Sequence, residues 1–243
     1  MKVYVNCTAN LGDFINAMPV ISGLSKVDGM GVDLIIRGEM KKFNGIKEFL
    51  EYQECINSVS FDSDIIFMYH MDCVILSSWT REDKNDPNRP IETCRYENWI
   101  IDNYKVDFQV DDDFELKVPK MDIDYLNDKI LIGDRWSTKE DPNVDARRKS
   151  YVIKDSGKYD DDKYHYLDFS HDIMYNLSLI KYNPNTFVTT MTGIAVLSDL
   201  MYKDTTIVWD DEMKNWVDRP DIETTFNAHF YSNRNCKLEY IND

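Results

Sequence analysis

Three places in this sequence set reactive or charge-binding side chains where a strand gives way to a loop or helix. The first is at the start. Val3-Tyr4-Val5 is β-rich, a small polar loop follows over 6–10, and Gly12-Asp13 leads into a segment with Phe14, Ala17, Met18, Ile21 and Leu24 on one helical face. This order delivers one carboxylate, Asp13, to the carboxyl end of a first strand, the edge where open α/β sheets bind ligands. A carboxylate held there with a pKa raised by partial burial can take a proton from a hydroxyl. An acid at that position can also simply cap the helix. The second place is Phe187-Val188, followed by the small-residue loop 189–193 and a helix over 194–202. It offers backbone N–H groups, the hydroxyls of Thr190 and Thr192, and a close approach at Gly193, a set suited to phosphate oxygens. An ordinary N-cap by Thr192 is the plainer alternative. The third is the strand 129–133, ending in Asp134-Arg135-Trp136. Arg135 there is a cation for the same anion, or a surface ion-pair partner.

Elements must hold these loops in place. In the first half, strands are expected over 32–36, 56–61 and 64–69, the last near-continuously apolar and closed by His70. Residues 74–76 read as a further strand or as loop. Helices are expected over 43–52 and 92–104, a turn at 37–39, and a long polar loop or a pair of short turns over 77–95. Residues 105–126 read as a linker. In the second half, strands are expected over 129–133, 151–153, 164–169, 187–188 and 205–209, and helices over 172–182 and 194–202. The tail, 210–243, is expected to pack across both halves. Strand and helix alternate in both halves, which implies α/β layers on parallel sheets. The domains are therefore placed at 1–115 and 116–243.

Composition narrows the partners. The 243 residues carry a formal net charge of −16. A field of that sign repels phosphate backbones and anionic membranes. The basic clusters are few: Arg147-Arg148-Lys149, Lys41-Lys42 and the region 81–95. No apolar run approaches a membrane span. The residues after Met1 enter a strand directly, without a charged region and an apolar one, so a cytoplasmic location is expected. The cysteines Cys7, Cys55, Cys73, Cys94 and Cys236 show no CxxC spacing, and the four histidines show no paired zinc spacing. The acidic runs 111–113 and 160–162 lack calcium-loop spacing and read as solvated turns. No metal site is expected. Most of the five tryptophans suit packing, while Trp136 and Trp209, at strand ends, could stack on a base or a sugar. Scarce Gly and Ala with abundant Asp, Asn, Lys, Tyr, Ile and Met resemble proteins of AT-rich genomes, including bacteriophages.

Two strand–loop–helix units with polar residues at their strand ends suggest two Rossmann-like lobes facing a cleft. The block 8–19, with Gly12-Asp13 and Pro19 six residues on, resembles the N-terminus of the ADP-heptose:lipopolysaccharide heptosyltransferases and their relatives. The block 187–200, a strand, a Thr- and Gly-containing loop and a helix, resembles that family's second signature, and the helix before it fits as well. The resemblance implies the GT-B glycosyltransferase fold, with an N-terminal acceptor lobe and a C-terminal donor lobe. It implies transfer of a sugar from a nucleoside diphosphate to an acceptor hydroxyl, metal-independent and inverting, with Asp13 as general base. Asn10 and Gly12 fall on the substrate side; His70, closing its strand, either borders the cleft on that side or is a satisfied structural histidine. Arg135, Thr190, Thr192 and Gly193 fall on the donor diphosphate. No cofactor is implied, the nucleotide sugar being a co-substrate. The acceptor would be a saccharide, a small molecule or, for a phage enzyme in its host's cytoplasm, a hydroxymethylated base in DNA, against which the −16 charge counts. A nucleotide- or sugar-binding protein without catalysis is the alternative, since Val196 stands where the family usually has a His and the second lobe's opening unit is shortened. An acidic host-interaction protein is another.

Overall fold

Parallel strand pairing organises both halves of the chain. In this computed structural model, the residues described are 1–6, 11–29, 31–64, 73–77, 100–102, 108–122, 124–134, 152–190, 192–209 and 235–241. The chain divides into two units, Met1–Lys117 and Val118–Asp243.

The first unit contains β1 (Lys2–Asn6), α1 (Leu11–Ile15), α2 (Met18–Asp28), β2 (Val32–Ile36), α3 (Ile46–Glu51), β3 (Ile56–Phe61), β4 (Val74–Ser77) and β5 (Ile100–Asp102). Its sheet has the order β3-β2-β1-β4-β5. The first three pairings are parallel, and β5 runs antiparallel to β4. The expected apolar face is buried at Phe14, Ala17, Met18, Ile21 and Leu24. It is carried by two helices, however, and not by one. Pro19 lies in the first turn of α2. It has no N–H to give, and its ring crowds the carbonyl four residues back, so the helix breaks at Asn16 and Ala17.

Two further expectations for this unit are corrected. The end of the helix expected over 92–104 is strand instead, because Ile100 to Asp102 pair with Ser77, Leu76 and Ile75. Cross-strand pairing overrides local helical pattern there. Residues 65–70 and 78–99 lie outside the described residues, and Asp64 closes a short 3-10 turn. The linker expected over 105–126 begins as a strap fixed to the first unit. The Asp111 N–H donates to the Pro19 carbonyl at 3.1 Å. The Ser22 hydroxyl donates to the Asp111 carboxylate at 2.6 Å, and the Lys26 ammonium lies 2.8 Å from it. Buried Gln53 donates to the Lys117 carbonyl and accepts its N–H, at 3.0 and 2.9 Å. Phe114 and Leu116 are buried between these fastenings. Asp111 is therefore an anchor, while Asp112 and Asp113 are exposed as expected of a solvated turn.

The second unit contains β6 (Ile130–Gly133), α4 (Val152–Asp155), β7 (Tyr164–Tyr166), α5 (Ile173–Tyr182), β8 (Phe187–Thr190), α6 (Gly193–Leu200), β9 (Thr205–Trp209) and β10 (Cys236–Tyr240). The sheet order is β10-β9-β8-β6-β7, parallel throughout. Ile132, Ile153, Tyr159, Val188, Val208 and Ile241 form one core layer. Of the strand expected over 151–153, Val152 and Ile153 instead start α4, since the Asp134 carboxylate accepts the amides of Ile153 and Lys154 and draws the chain into a turn. Of the strand expected over 164–169, only Tyr164 to Tyr166 pair. Thr189 and Thr190, expected in a loop, extend β8. The tail supplies β10, an edge strand that the sequence reading left as tail. Among the described residues, no helix is long and apolar enough to cross a membrane.

Two outcomes test the strap. A Cβ built on Gly23 of α2 would lie 2.1 Å from the Gln109 carbonyl oxygen, a backbone atom that cannot step aside alone. Gly23→Ala should lower unfolding stability by about 1–3 kcal/mol in urea titration. Asp111 is held below the usual carboxylate range: burial works to raise it, and the bonds from Lys26 and Ser22 outweigh burial. Its contribution is full above the unfolded carboxylate's value, about 4. It is lost as pH falls through the lowered folded value. Asp111→Asn should be less stable than the natural chain at neutral pH, and the gap should close on acidification.

Candidate functional site

Strand order locates the candidate site before any side chain does. In an open α/β sheet, a crevice forms beyond the carboxyl ends of the two strands where the order reverses. In the second unit those strands are β6 and β8. In the first they are β1 and β4.

The second-unit edge is built from the ends of β6 and β8. Gly133 pairs with Thr189 in register. The Thr189 hydroxyl donates to the Gly133 carbonyl at 2.5 Å, and the Thr190 hydroxyl donates to the Asp134 carbonyl at 3.0 Å. Both threonines are buried. Their protons thus fasten β8 to β6 where neighbouring β chemistry ends. Thr190, expected to touch a ligand, has its hydroxyl proton committed to this fastening.

Asp134 is also buried, and its carboxylate accepts the N–H groups of Ile153 at 3.0 Å and Lys154 at 3.1 Å. Side-chain capping of this kind satisfies donors that a helix start leaves orphaned. The Tyr166 phenol is pushed up from its ordinary value, first by burial and then by the charges of Asp134 and Asp160. Its buried hydroxyl has no hydrogen-bond partner among the described residues.

Thr192 and Gly193 follow at the start of α6. Thr192 occupies the N-cap position with extended backbone, φ −132° and ψ 177°, yet its side chain makes no capping bond. Its N–H instead donates to the Thr190 carbonyl at 2.8 Å, and its hydroxyl lies 3.4 Å from the same oxygen. The ordinary side-chain cap is therefore absent. The leading amides of α6 emerge at the carboxyl edge of the sheet with the positive end of the helix dipole behind them. By contrast, Asp172 caps α5 in the usual way, accepting the Met174 amide at 2.8 Å. Among the described residues, α4 and α5 start with a carboxylate on their leading amides, and α6 starts without a side-chain cap.

The first-unit edge carries Gly12 and Asp13 in the first turn of α1, following β1. The Gly12 carbonyl accepts the Asn16 amide at 3.2 Å. Farther along the edge, Asp62 accepts the Gly38 amide at 2.8 Å and the Tyr4 hydroxyl at 3.1 Å. Burial and then Asp62 push the Tyr4 phenol up to about 12. Arg37 pairs with Glu39 through two bonds of 3.1 and 3.0 Å, and Lys41 with Asp64 at 2.6 Å. The basic cluster at Lys41-Lys42 thus has its first charge answered locally.

Asn10, His70 and Arg135 lie outside the described residues. The remaining expected positions fall at two sheet edges: Gly12 and Asp13 on the first, Thr190, Thr192 and Gly193 on the second. Sequence reading missed the work of Asp134. Its place at a strand end was visible, but the two amides it binds come from 19 and 20 residues later. It also missed the pairing of Trp209 with an aromatic partner, since β10 was hidden in the polar tail.

The fold is similar to that of the solved structure of E. coli heptosyltransferase WaaC with ADP, with a TM-score of 0.52 and 9% identity, covering 99% of this chain and 93% of that one. The likeness establishes a shared fold. No protein-family model matches the chain, and no curated protein matches it in sequence.

Asp134→Ala should remove the shared acceptor of two amides, one of them buried, and cost about 1–3 kcal/mol of unfolding free energy. Asp134→Asn, which keeps one acceptor oxygen, should recover part of that loss in the same titration.

Proposed function

We propose that this chain is a glycosyltransferase of the two-lobed GT-B kind, transferring a sugar from a nucleoside diphosphate to an acceptor hydroxyl. The observation that carries the proposal is the start of α6, a helix N-terminus without a side-chain cap at the strand-order reversal of a parallel sheet. A leaving diphosphate gains negative charge as its bond to the sugar breaks, and preorganised amides with a helix dipole stabilise that charge. The fold shared with a heptosyltransferase supports the assignment. So does the placement of Gly12 and Asp13 after β1, on the ligand-binding edge of the other sheet.

In the proposed reaction Asp13 takes the proton of the acceptor hydroxyl. The acceptor oxygen forms a bond to the anomeric carbon from the face opposite the diphosphate. The carbon–oxygen bond to the diphosphate breaks, the electron pair leaves with the nucleoside diphosphate, and the configuration inverts. A base in this role contributes roughly a hundredfold to ten-thousandfold in rate. Thr192 and Gly193 hold the diphosphate. Arg135, directly after Asp134 in sequence, adds a cation. With the leaving charge met by amides and an arginine, the transfer needs no metal ion. Asn10, Gly12 and His70 are assigned to acceptor binding, the acceptor being a saccharide or small molecule, since the −16 charge disfavours a nucleic acid. We place the activity in the cytoplasm, where nucleotide sugars are made available.

Incubation with a panel of nucleotide sugars and candidate acceptors should release nucleoside diphosphate. Asp13→Ala should cut that release at least a hundredfold while nucleotide binding persists. Equal release by both proteins would remove Asp13 from the mechanism. Nucleotide binding without release from any donor would leave a binding protein in place of an enzyme.

A further inference from the structure

We infer that Trp209 and Tyr240 form the wall on which the base of a bound nucleoside diphosphate stacks. This deepens the proposed donor site at α6 and rests on it.

The two rings stand at the carboxyl ends of β9 and β10, where Trp209 and Tyr240 are partners in register. Their centroids are 4.7 Å apart and their planes are tilted by 49°. Both residues are half-buried. Alternation along the strands fixes their face. Val208 and Ile241 belong to the core layer with Ile153 of α4. Successive strand residues point to opposite faces, so Trp209 and Tyr240 lie on the other face. Cys236 shares that face with Tyr240, and its thiol lies 3.7 Å from the Asp199 carboxylate of α6. The aromatic pair and α6 therefore share one side of the sheet.

They also share one edge. Val208 pairs with Thr190, the last residue of β8. Trp209 is the next residue, so the indole stands at the same carboxyl edge of the sheet as the start of α6. A nucleoside diphosphate needs both kinds of surface: amide donors for its phosphates and an apolar ring face for its base. Tyr240 limits the swing of the indole, which lowers the ordering needed when a base settles on it. Stacking platforms for nucleic-acid strands add a basic groove that tracks the backbone. This chain has a formal charge of −16. The wall therefore suits one nucleotide and not a strand.

The test is a calorimetric titration of the full chain with ADP, UDP, inorganic pyrophosphate and a short oligothymidylate. The nucleoside diphosphates should bind more tightly than pyrophosphate, and the oligonucleotide should not bind. Trp209→Ala should weaken ADP binding about tenfold or more. It should leave pyrophosphate affinity unchanged, and Trp209→Phe should recover most of the loss. Undiminished ADP affinity in Trp209→Ala overturns the stacking role and leaves the anion site standing. A natural chain that binds neither pyrophosphate nor nucleotide overturns the donor site and the wall together. Oligonucleotide binding as tight as ADP overturns the single-nucleotide assignment. A second measurement covers a Trp209→Ala chain that fails to fold. With all five tryptophans replaced by 5-fluorotryptophan, the resonance missing from Trp209→Phe should shift with ADP and stay still with pyrophosphate. Its indifference to ADP would overturn the inference.

Discussion

The fastening of β8 to β6 is the constraint on which the second unit depends. Two successive threonines at the end of β8 place their hydroxyl protons on the Gly133 and Asp134 carbonyls of the neighbouring strand. Strand order reverses there, so the chain must leave β6 on one face of the sheet and leave β8 on the other. Asp134 turns the first departure into α4 by holding two of its amides. Among the described residues, the second departure has no such side-chain partner. Thr192 sits at the cap position, but its N–H folds back to the Thr190 carbonyl and its side chain does not cap the helix. One strand end thus has its donors satisfied internally, and the adjacent one presents donors at the ligand edge. That asymmetry follows from where the polar side chains fall, and the proposed diphosphate site rests on it.

The first unit solves a different problem. Its sheet is covered by helices whose inner face is largely apolar, and the strap that ends the unit must lie close against α2. Gly23 permits that approach, and Ser22, Lys26 and Gln53 hold it. Each fastening joins a helix or turn residue to a backbone or acid far along the chain.

Much of this was legible from residue pattern. β2 and β3 were bounded as observed, because short β-branched runs between turn residues leave little choice. The helices over 172–182 and 194–202 were placed within a residue or two. What escaped depended on distant partners. Ile100 and Ile101 are strand because β4 accepts them, and Ile153 is helical because Asp134 binds its amide. β10 alternates Cys236, Leu238 and Tyr240 with polar residues, a period-2 signal. It was overlooked within a polar tail, and it becomes a strand only where β9 offers an edge. The Asp111 anchor was read as a solvated turn, since an acidic run gives no sign of which acid meets a buried hydroxyl. For the candidate site, the positions after β1 and β8 were visible as strand–loop–helix transitions. The uncapped state of α6 was not, because a threonine before a helix ordinarily caps it.

The central claim is that α6 receives the diphosphate of a nucleotide. Amide resonances of the nitrogen-15-labelled chain, followed as a nucleoside diphosphate is added, test it most directly. The account predicts that the Gly193 and Ile194 amides shift most and saturate together, while the Gly12 amide is unmoved by nucleotide alone. Saturating nucleotide that leaves Gly193 and Ile194 in place would contradict it.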